Sequence, residues 1–265
     1  MSKVTVNGIE LAYEDVGTGH PVVLLHGYPL DRSMWSNQVA ALKQTHRVIT
    51  PDLRGHGESA IAAGAATMQQ MASDVAGLLQ ALDISRATLG GLSMGGYVAL
   101  AFYRLFQLRV RSLVLVDTRA QEDTEEAKTN RAIQAERALQ QGMEFIAESM
   151  LPKLLTPESV TKKPELVRQV REMILRTTPQ GAAAALQGMA QREDQTLYLS
   201  RIIAPTLIIV GQSDSLTPVE DAELMHRQIG GSRLEIIEGA AHLSNMEQPE
   251  EFNRVLTTFL HDLEG

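Results

Sequence analysis

The hydrophobic positions along the chain fall into two rhythms. Val4-Thr5-Val6 and Ile9 to Tyr13 alternate on either side of Asn7-Gly8. That pair tolerates positive φ, so it predicts a two-residue hairpin turn and an opening antiparallel ribbon. Pro21-Val22-Val23-Leu24-Leu25 is instead apolar throughout, as are most positions of Ser112 to Val116 and Pro205 to Val210. Strands with no polar face are buried on both sides, which predicts a parallel sheet covered by helices. Helical spacing lies between them. Asp31 to Leu42 places Met34, Trp35, Val39 and Leu42 on one side, and Met68 to Leu82 places Met71, Val75, Leu78, Leu79 and Leu82 together. Arg47 to Thr50 and Ala87 to Leu89 read as short strands, the Ala60 to Ala66 tract as surface loop, and Met94 to Phe106 as a helix.

The strand–helix alternation stops near Arg119, and only helical patterns run to Leu199. Leu139, Met143, Ile146 and Met150 share a face, as do Leu166, Val170 and Ile174. Thr178-Pro179 reads as an N-cap with proline at the first helical position. The borders lack linker composition, so residues 119–199 are expected to form a helical lid on a single domain whose core is 1–118 and 200–265. The sheet then resumes. Thr217-Pro218-Val219-Glu220 spells a capping box opening a helix through Ile229. Arg233 to Ile237 is the last strand, and Pro249 to Leu260 the last helix.

Composition removes several classes of function. The 265 residues carry 24 basic and 32 acidic side chains, a net charge of −8. No Lys/Arg cluster dominates any segment, so no nucleic-acid partner is expected. Cysteine is absent, which excludes disulfides, thiolate chemistry and cysteine metal sites and fits a reducing cytosol. Met1 to Gly17 holds no apolar signal core, and no apolar stretch approaches membrane-spanning length. The location expected is cytoplasmic, with no membrane partner.

Candidate chemistry centres on Gly91-Leu92-Ser93-Met94-Gly95, a Gly-x-Ser-x-Gly elbow between a strand and a helix. The flanking glycines allow a turn so tight that the apex hydroxyl stands clear at the sheet rim, over a helix N-terminus. A serine nucleophile needs a base, and the base needs a carboxylate to orient it. Asp214 and His242 follow Ser93 in the chain order this architecture demands, each just beyond a predicted strand. Asp117 also follows a strand and is the alternative partner for His242. His26 is read as orienting its loop, His56 as bracing its own, and Asp52 as capping a turn. His20, His46, His226 and His261 are read as surface histidines. The oxyanion donors expected are the backbone N–H groups of Met94 and Tyr28. Trp35, Tyr28, Met143, Ile146 and Met150 are candidate pocket linings. The chemistry requires no metal and no organic cofactor.

The chain resembles the α/β-hydrolase superfamily over nearly its whole length. The resemblance rests on His26-Gly27, the stretch Asp52-Leu53-Arg54-Gly55-His56-Gly57-Glu58-Ser59, the elbow, the Asp214 loop, and His242 followed by Leu243-Ser244-Asn245-Met246-Glu247-Gln248-Pro249. It is most similar to small esterases grouped with 3-oxoadipate enol-lactonases and cofactor-free perhydrolases. The resemblance implies an eight-stranded, mostly parallel sheet with a helical cap after strand 6, and a carboxylesterase. Lactone hydrolysis and perhydrolysis are alternatives on the same triad, and a hydrolase-like binding protein is the alternative outside enzymes. Dehalogenases and epoxide hydrolases of this fold carry Asp where Ser93 stands. Proline iminopeptidases usually carry Trp where Met94 stands. Esterases with a Gly-Gly-Gly oxyanion loop differ from the single Gly27.

Overall fold

The computed structural model describes residues 2–264. Eight strands form one sheet: β1 (Ser2–Val6), β2 (Ile9–Val16), β3 (His20–Leu25), β4 (His46–Pro51), β5 (Ala87–Leu92), β6 (Val110–Val116), β7 (Thr206–Gly211) and β8 (Arg233–Ile237). Their spatial order is β1-β2-β4-β3-β5-β6-β7-β8. β1 and β2 pair antiparallel through the hairpin, whose turn residues Asn7 and Gly8 both take positive φ. β2 meets β4 antiparallel, and every later pairing is parallel.

The described residues also form ten α-helices: α1 (Ser36–Leu42), α2 (Met68–Ala81), α3 (Met94–Phe106), α4 (Glu125–Leu154), α5 (Pro157–Lys162), α6 (Pro164–Arg176), α7 (Pro179–Ala190), α8 (Val219–Gln228), α9 (Ser244–Glu247) and α10 (Pro249–Asp262). Helices α4 to α7 form the cap between β6 and β7. The strand order reverses beside β3, which lies between β4 and β5. Open α/β sheets form their sites at such a switch point, outside the C-terminal strand ends. The apolar strands β5 and β7 are buried at every position. The edge strand β8 keeps Arg233 and Glu235 exposed. Among the described residues no helix is long and apolar enough to cross a membrane.

Four local expectations are corrected. Asp31 caps a 3-10 turn, Arg32–Trp35, before α1 begins, so the predicted helix is two elements. Leu139 does not share the buried face of Met143, Ile146 and Met150. Gly142 breaks α4 with φ 78°, rotating the two halves relative to each other, and Leu139 is exposed. His46 is buried, not superficial: its ring meets Thr45 Oγ1 at 2.9 Å and Glu264 at 3.3 Å. Thr217 does not cap α8. Pro218 occupies the N-cap with no side-chain hydrogen bond, because the Thr217 hydroxyl is committed elsewhere. Thr178 does cap α7, accepting from Gly181 N–H at 3.1 Å.

Candidate active site

Ser93 is the single residue between β5 and α3. It sits at φ 53°, ψ −113°, a strained conformation for a residue with a side chain. The surroundings hold it there. Its N–H donates to Val116 O at 2.9 Å, and its carbonyl accepts from Thr118 Oγ1 at 2.8 Å. The flanking glycines leave no room for alternatives: a Cβ on Gly91 would lie 2.1 Å from Gly95 O, and one on Gly95 would lie 2.2 Å from Leu25 O. Close approach of backbone to backbone thus forces the hydroxyl outward.

Asp214 and His242 leave the ends of β7 and β8. His242 Nδ1–H donates to Asp214 Oδ2 at 2.8 Å. Three further donors fix that carboxylate: Thr217 Oγ1 at 2.6 Å on Oδ2, and Leu216 N and Thr217 N at 2.8 and 3.1 Å on Oδ1. Burial alone would depress the imidazole, but the Asp214 charge and hydrogen bond reverse this and hold its pKa above the ordinary value. Burial would likewise raise Asp214, yet the His242 charge and the surrounding donors hold it low. With Nδ1 committed to Asp214, the Nε2 lone pair remains for a proton acceptor's role.

Ser93 and His242 line one cavity of about 250 Å³ beneath the cap. Tyr28 and Met150 line it too, with Leu186 and Met189 from α7. Trp35, Met143 and Ile146 do not. Trp35 is fully buried with its ring 6.2 Å from Phe252, and Met143 and Ile146 fill the interior of the cap. Among the described residues the backbone N–H groups of Tyr28 and Met94 meet no acceptor in the hydrogen-bond network, as oxyanion donors require. Tyr28 follows β3 and Met94 opens α3, so both stand at the switch point.

The rival residues have other partners. Asp117, at φ 42°, accepts from Gly211 N at 2.7 Å and from Ser244 Oγ at 2.5 Å, with no bond to His242. Burial, then the nearby Asp214 charge, pushes its carboxyl up to about 8. His26 Nδ1–H donates to Gly27 O at 2.9 Å, and its Nε2 accepts from Leu53 N–H at 2.9 Å, joining the loops after β3 and β4. Burial lowers its pKa to about 4, so it is neutral and structural. His56 rests on Arg54 O at 3.1 Å, with burial lowering it to about 3. Asp52 caps its turn by accepting from Glu58 N–H at 2.9 Å.

Three supporting residues escape a reading of the string. Thr217 grips Asp214, and Ser244 grips Asp117. Glu247 is fully buried and accepts from Thr156 N and Oγ1 of the cap, each at 2.8 Å, and from Ala241 N at 2.6 Å. It therefore clamps the cap to the segment carrying His242. A second clamp is the Leu243 N–H, which donates to Leu154 O at 3.1 Å. The only signal in the sequence is their nearness to Asp214 and His242.

Comparison with known proteins gives one consistent result. The model of the family with the α/β-hydrolase fold matches residues 20–249. A 3-oxoadipate enol-lactonase of Acinetobacter baylyi is 33% identical over 243 residues, covering 92% of this chain and 89% of the relative. Among solved structures, a thermophilic esterase from Thermogutta terrifontis with malate bound is 46% identical, with full coverage of both chains and a TM-score of 0.97. The enol-lactonase of Burkholderia xenovorans is 31% identical, covering 98% of this chain and 100% of the other, with a TM-score of 0.93.

Proposed function

The chain belongs to the α/β-hydrolase family, and from that premise we propose that it cleaves small carboxylic esters through an acyl-enzyme on Ser93. The observation that carries this reading is the 2.8 Å bond from His242 Nδ1 to Asp214 Oδ2, made by a ring that shares a cavity with the strained Ser93. His242 takes the hydroxyl proton as Ser93 attacks the acyl carbon, and Asp214 stabilises the imidazolium. The N–H groups of Tyr28 and Met94 receive the developing oxyanion. The imidazolium returns its proton to the departing alcohol. Water then attacks the acyl-enzyme, with His242 again as base, and releases the carboxylic acid. Residues 119–199 act as a lid on a single domain, since Glu247 and Leu243 bind the cap to the catalytic segment.

A lactone is the second reading, favoured by the identity to an enol-lactonase over most of both chains. A lactone opens by the same steps, except that the leaving alcohol stays attached to the acyl group.

The test is turnover of p-nitrophenyl acetate beside a lactone panel, in the native chain and in Ser93→Ala. Loss of roughly 10⁴-fold or more in kcat, with folding intact, is the expected result. Equal turnover in both proteins would sink the reading in favour of a non-catalytic, hydrolase-like binding protein.

A further inference from the structure

We propose that Thr177 of the cap is a positioning residue for the oxyanion hole: its hydroxyl, bonded to Pro29 O at 3.0 Å, aims and strengthens the Tyr28 N–H through two peptide groups. This rests on the reading of Ser93 as the nucleophile and gives the cap a part in the chemistry.

Thr177 follows α6 and is buried where the cap meets the loop after β3. Its hydroxyl donates to Pro29 O. That carbonyl shares a planar peptide group with the Leu30 N–H, which donates to Gly27 O at 2.9 Å. The Gly27 carbonyl in turn shares its peptide group with the Tyr28 N–H, which meets no acceptor among the described residues. The Thr177 hydroxyl, the Pro29–Leu30 group and the Gly27–Tyr28 group thus stand head to tail, with the open N–H at the end. In such a chain each hydrogen bond polarises the next, so the last N–H becomes a stronger donor. A rigid peptide plane held at its oxygen also has little freedom to swing its N–H. Gly27 O takes a second donor, His26 Nδ1–H at 2.9 Å, which holds the plane from the other side.

A tether alone would not need this bond. Arg176, the preceding residue, already holds the same seam, with Nε on Asp31 Oδ2 at 2.7 Å and Nη2 on Ser33 Oγ at 2.9 Å. Glu247 and the Leu243 N–H hold the cap on the His242 side. Arg176 reaches side chains only, whereas Thr177 reaches backbone, at the carbonyl that leads to Tyr28. Consecutive cap residues thus grip both flanks of Leu30, one at Asp31 and one at Pro29. The oxyanion hole is therefore at full strength only with the end of α6 seated on the core.

Thr177→Val removes the hydroxyl at nearly constant shape, and Thr177→Ser keeps it. Both are compared with the native chain in p-nitrophenyl acetate kinetics and in inhibition by a matched pair, 1,1,1-trifluoro-4-phenylbutan-2-one and 4-phenylbutan-2-one. Ser93 Oγ adds to the carbonyl carbon of the fluorinated ketone, the π pair moves to the carbonyl oxygen, and His242 takes the hydroxyl proton. The plain ketone binds without adding. The ratio of the two inhibition constants therefore isolates the oxyanion from general binding. The valine chain should lose about three- to tenfold in kcat and in that ratio, the size of one neutral hydrogen bond, with KM and plain-ketone affinity unchanged. The serine chain should recover both. Arg176→Met cuts the same seam at side chains and should lower the melting temperature while leaving the ratio native. If the valine chain does not fold, Thr177→Ala removes the same donor and the same ratio is read. Native kcat and ratio in the chain lacking the hydroxyl overturn the relay and leave the Ser93 reading standing. An equal fall of the ratio in Arg176→Met also overturns it, since tethering would then explain both. A native chain that neither turns over ester nor prefers the fluorinated ketone ends the Ser93 reading, and the relay with it.

Discussion

Thr217 Oγ1 and His242 Nδ1 donate to the same oxygen of Asp214, at 2.6 and 2.8 Å. The threonine therefore holds the carboxylate in the orientation the imidazole needs, and lies only 3.4 Å from Nδ1 itself. Thr217→Val keeps the shape and removes the donor. One hydrogen bond to a charged group contributes about 1.5–3 kcal/mol, so kcat should fall about tenfold or more with little change in KM. Thr217→Ser should recover most of it. Steady-state kinetics on p-nitrophenyl acetate read both outcomes, and a valine variant as fast as the native chain would remove Thr217 from the machinery.

On the proposed mechanism, the acid limb of the pH–rate profile reports His242. Only the unprotonated ring can accept the Ser93 proton. Its pKa is held above 6.5 by Asp214 despite burial, so activity should fall as pH drops through a value above 6.5, earlier than for a free imidazole. Asp214→Asn removes the charge that raises it. The limb should then move to lower pH while kcat drops by roughly 10⁴-fold. A native limb below 6.5 would contradict the pairing of these two side chains.

Asp117 looks like a second acid for His242 but behaves as a joint. Burial, then the Asp214 charge, pushes its carboxyl up to about 8, which favours the protonated form. A neutral carboxyl can accept from Gly211 N–H and share a hydrogen bond with Ser244. An amide keeps the Gly211 bond and can donate to Ser244 Oγ, but its NH₂ cannot accept the Ser244 N–H that lies 3.3 Å from Oδ2. Asp117→Asn should therefore cost only about 1 kcal/mol, whereas Asp117→Ala leaves the Gly211 N–H and both Ser244 donors without an acceptor and should cost about 2–4 kcal/mol. Urea denaturation distinguishes them. A severe loss in the asparagine variant would mean that the negative charge itself is required.

What the string conveyed, and what it withheld, follows from how local each cause is. The strand from Val22 to Leu25 was legible because burial on both faces leaves no polar position. The elbow was legible because its Gly-x-Ser-x-Gly spacing is itself local, although Gly91 is demanded by Gly95 O four residues on and Gly95 by Leu25 O on the neighbouring strand. Thr217-Pro218-Val219-Glu220 misled because the same four letters satisfy a local capping rule, while a tertiary partner, Asp214, captured the hydroxyl first. The break at Gly142 was hidden because an isolated glycine inside a helical pattern is tolerated, at a cost, without ending the helix. Trp35 is a candidate pocket lining on sequence alone, but its ring turns into the core against Phe252. Polar surroundings in the string give no hint that the Glu247 carboxylate is buried at the seam between cap and core.

That burial makes Glu247 the most informative side chain outside the proposed triad. Its two oxygens take three donors, two from Thr156 of the cap and one from Ala241, the neighbour of His242. Glu247→Ala removes every acceptor and leaves those donors buried and unpaired, each costing about 1–3 kcal/mol. Glu247→Gln preserves the Thr156 bonds through its carbonyl oxygen but points an NH₂ group at the Ala241 N–H, two donors face to face. It should therefore keep the cap seated and disturb the segment carrying His242. The expected pattern is a large fall in melting temperature for the alanine variant. For the glutamine variant it is a smaller fall, accompanied by a loss of kcat out of proportion to the lost stability. Thermal unfolding and kinetics on the same preparations check this. A glutamine variant with native kcat would show that the seam holds the lid alone and has no hand in placing the base.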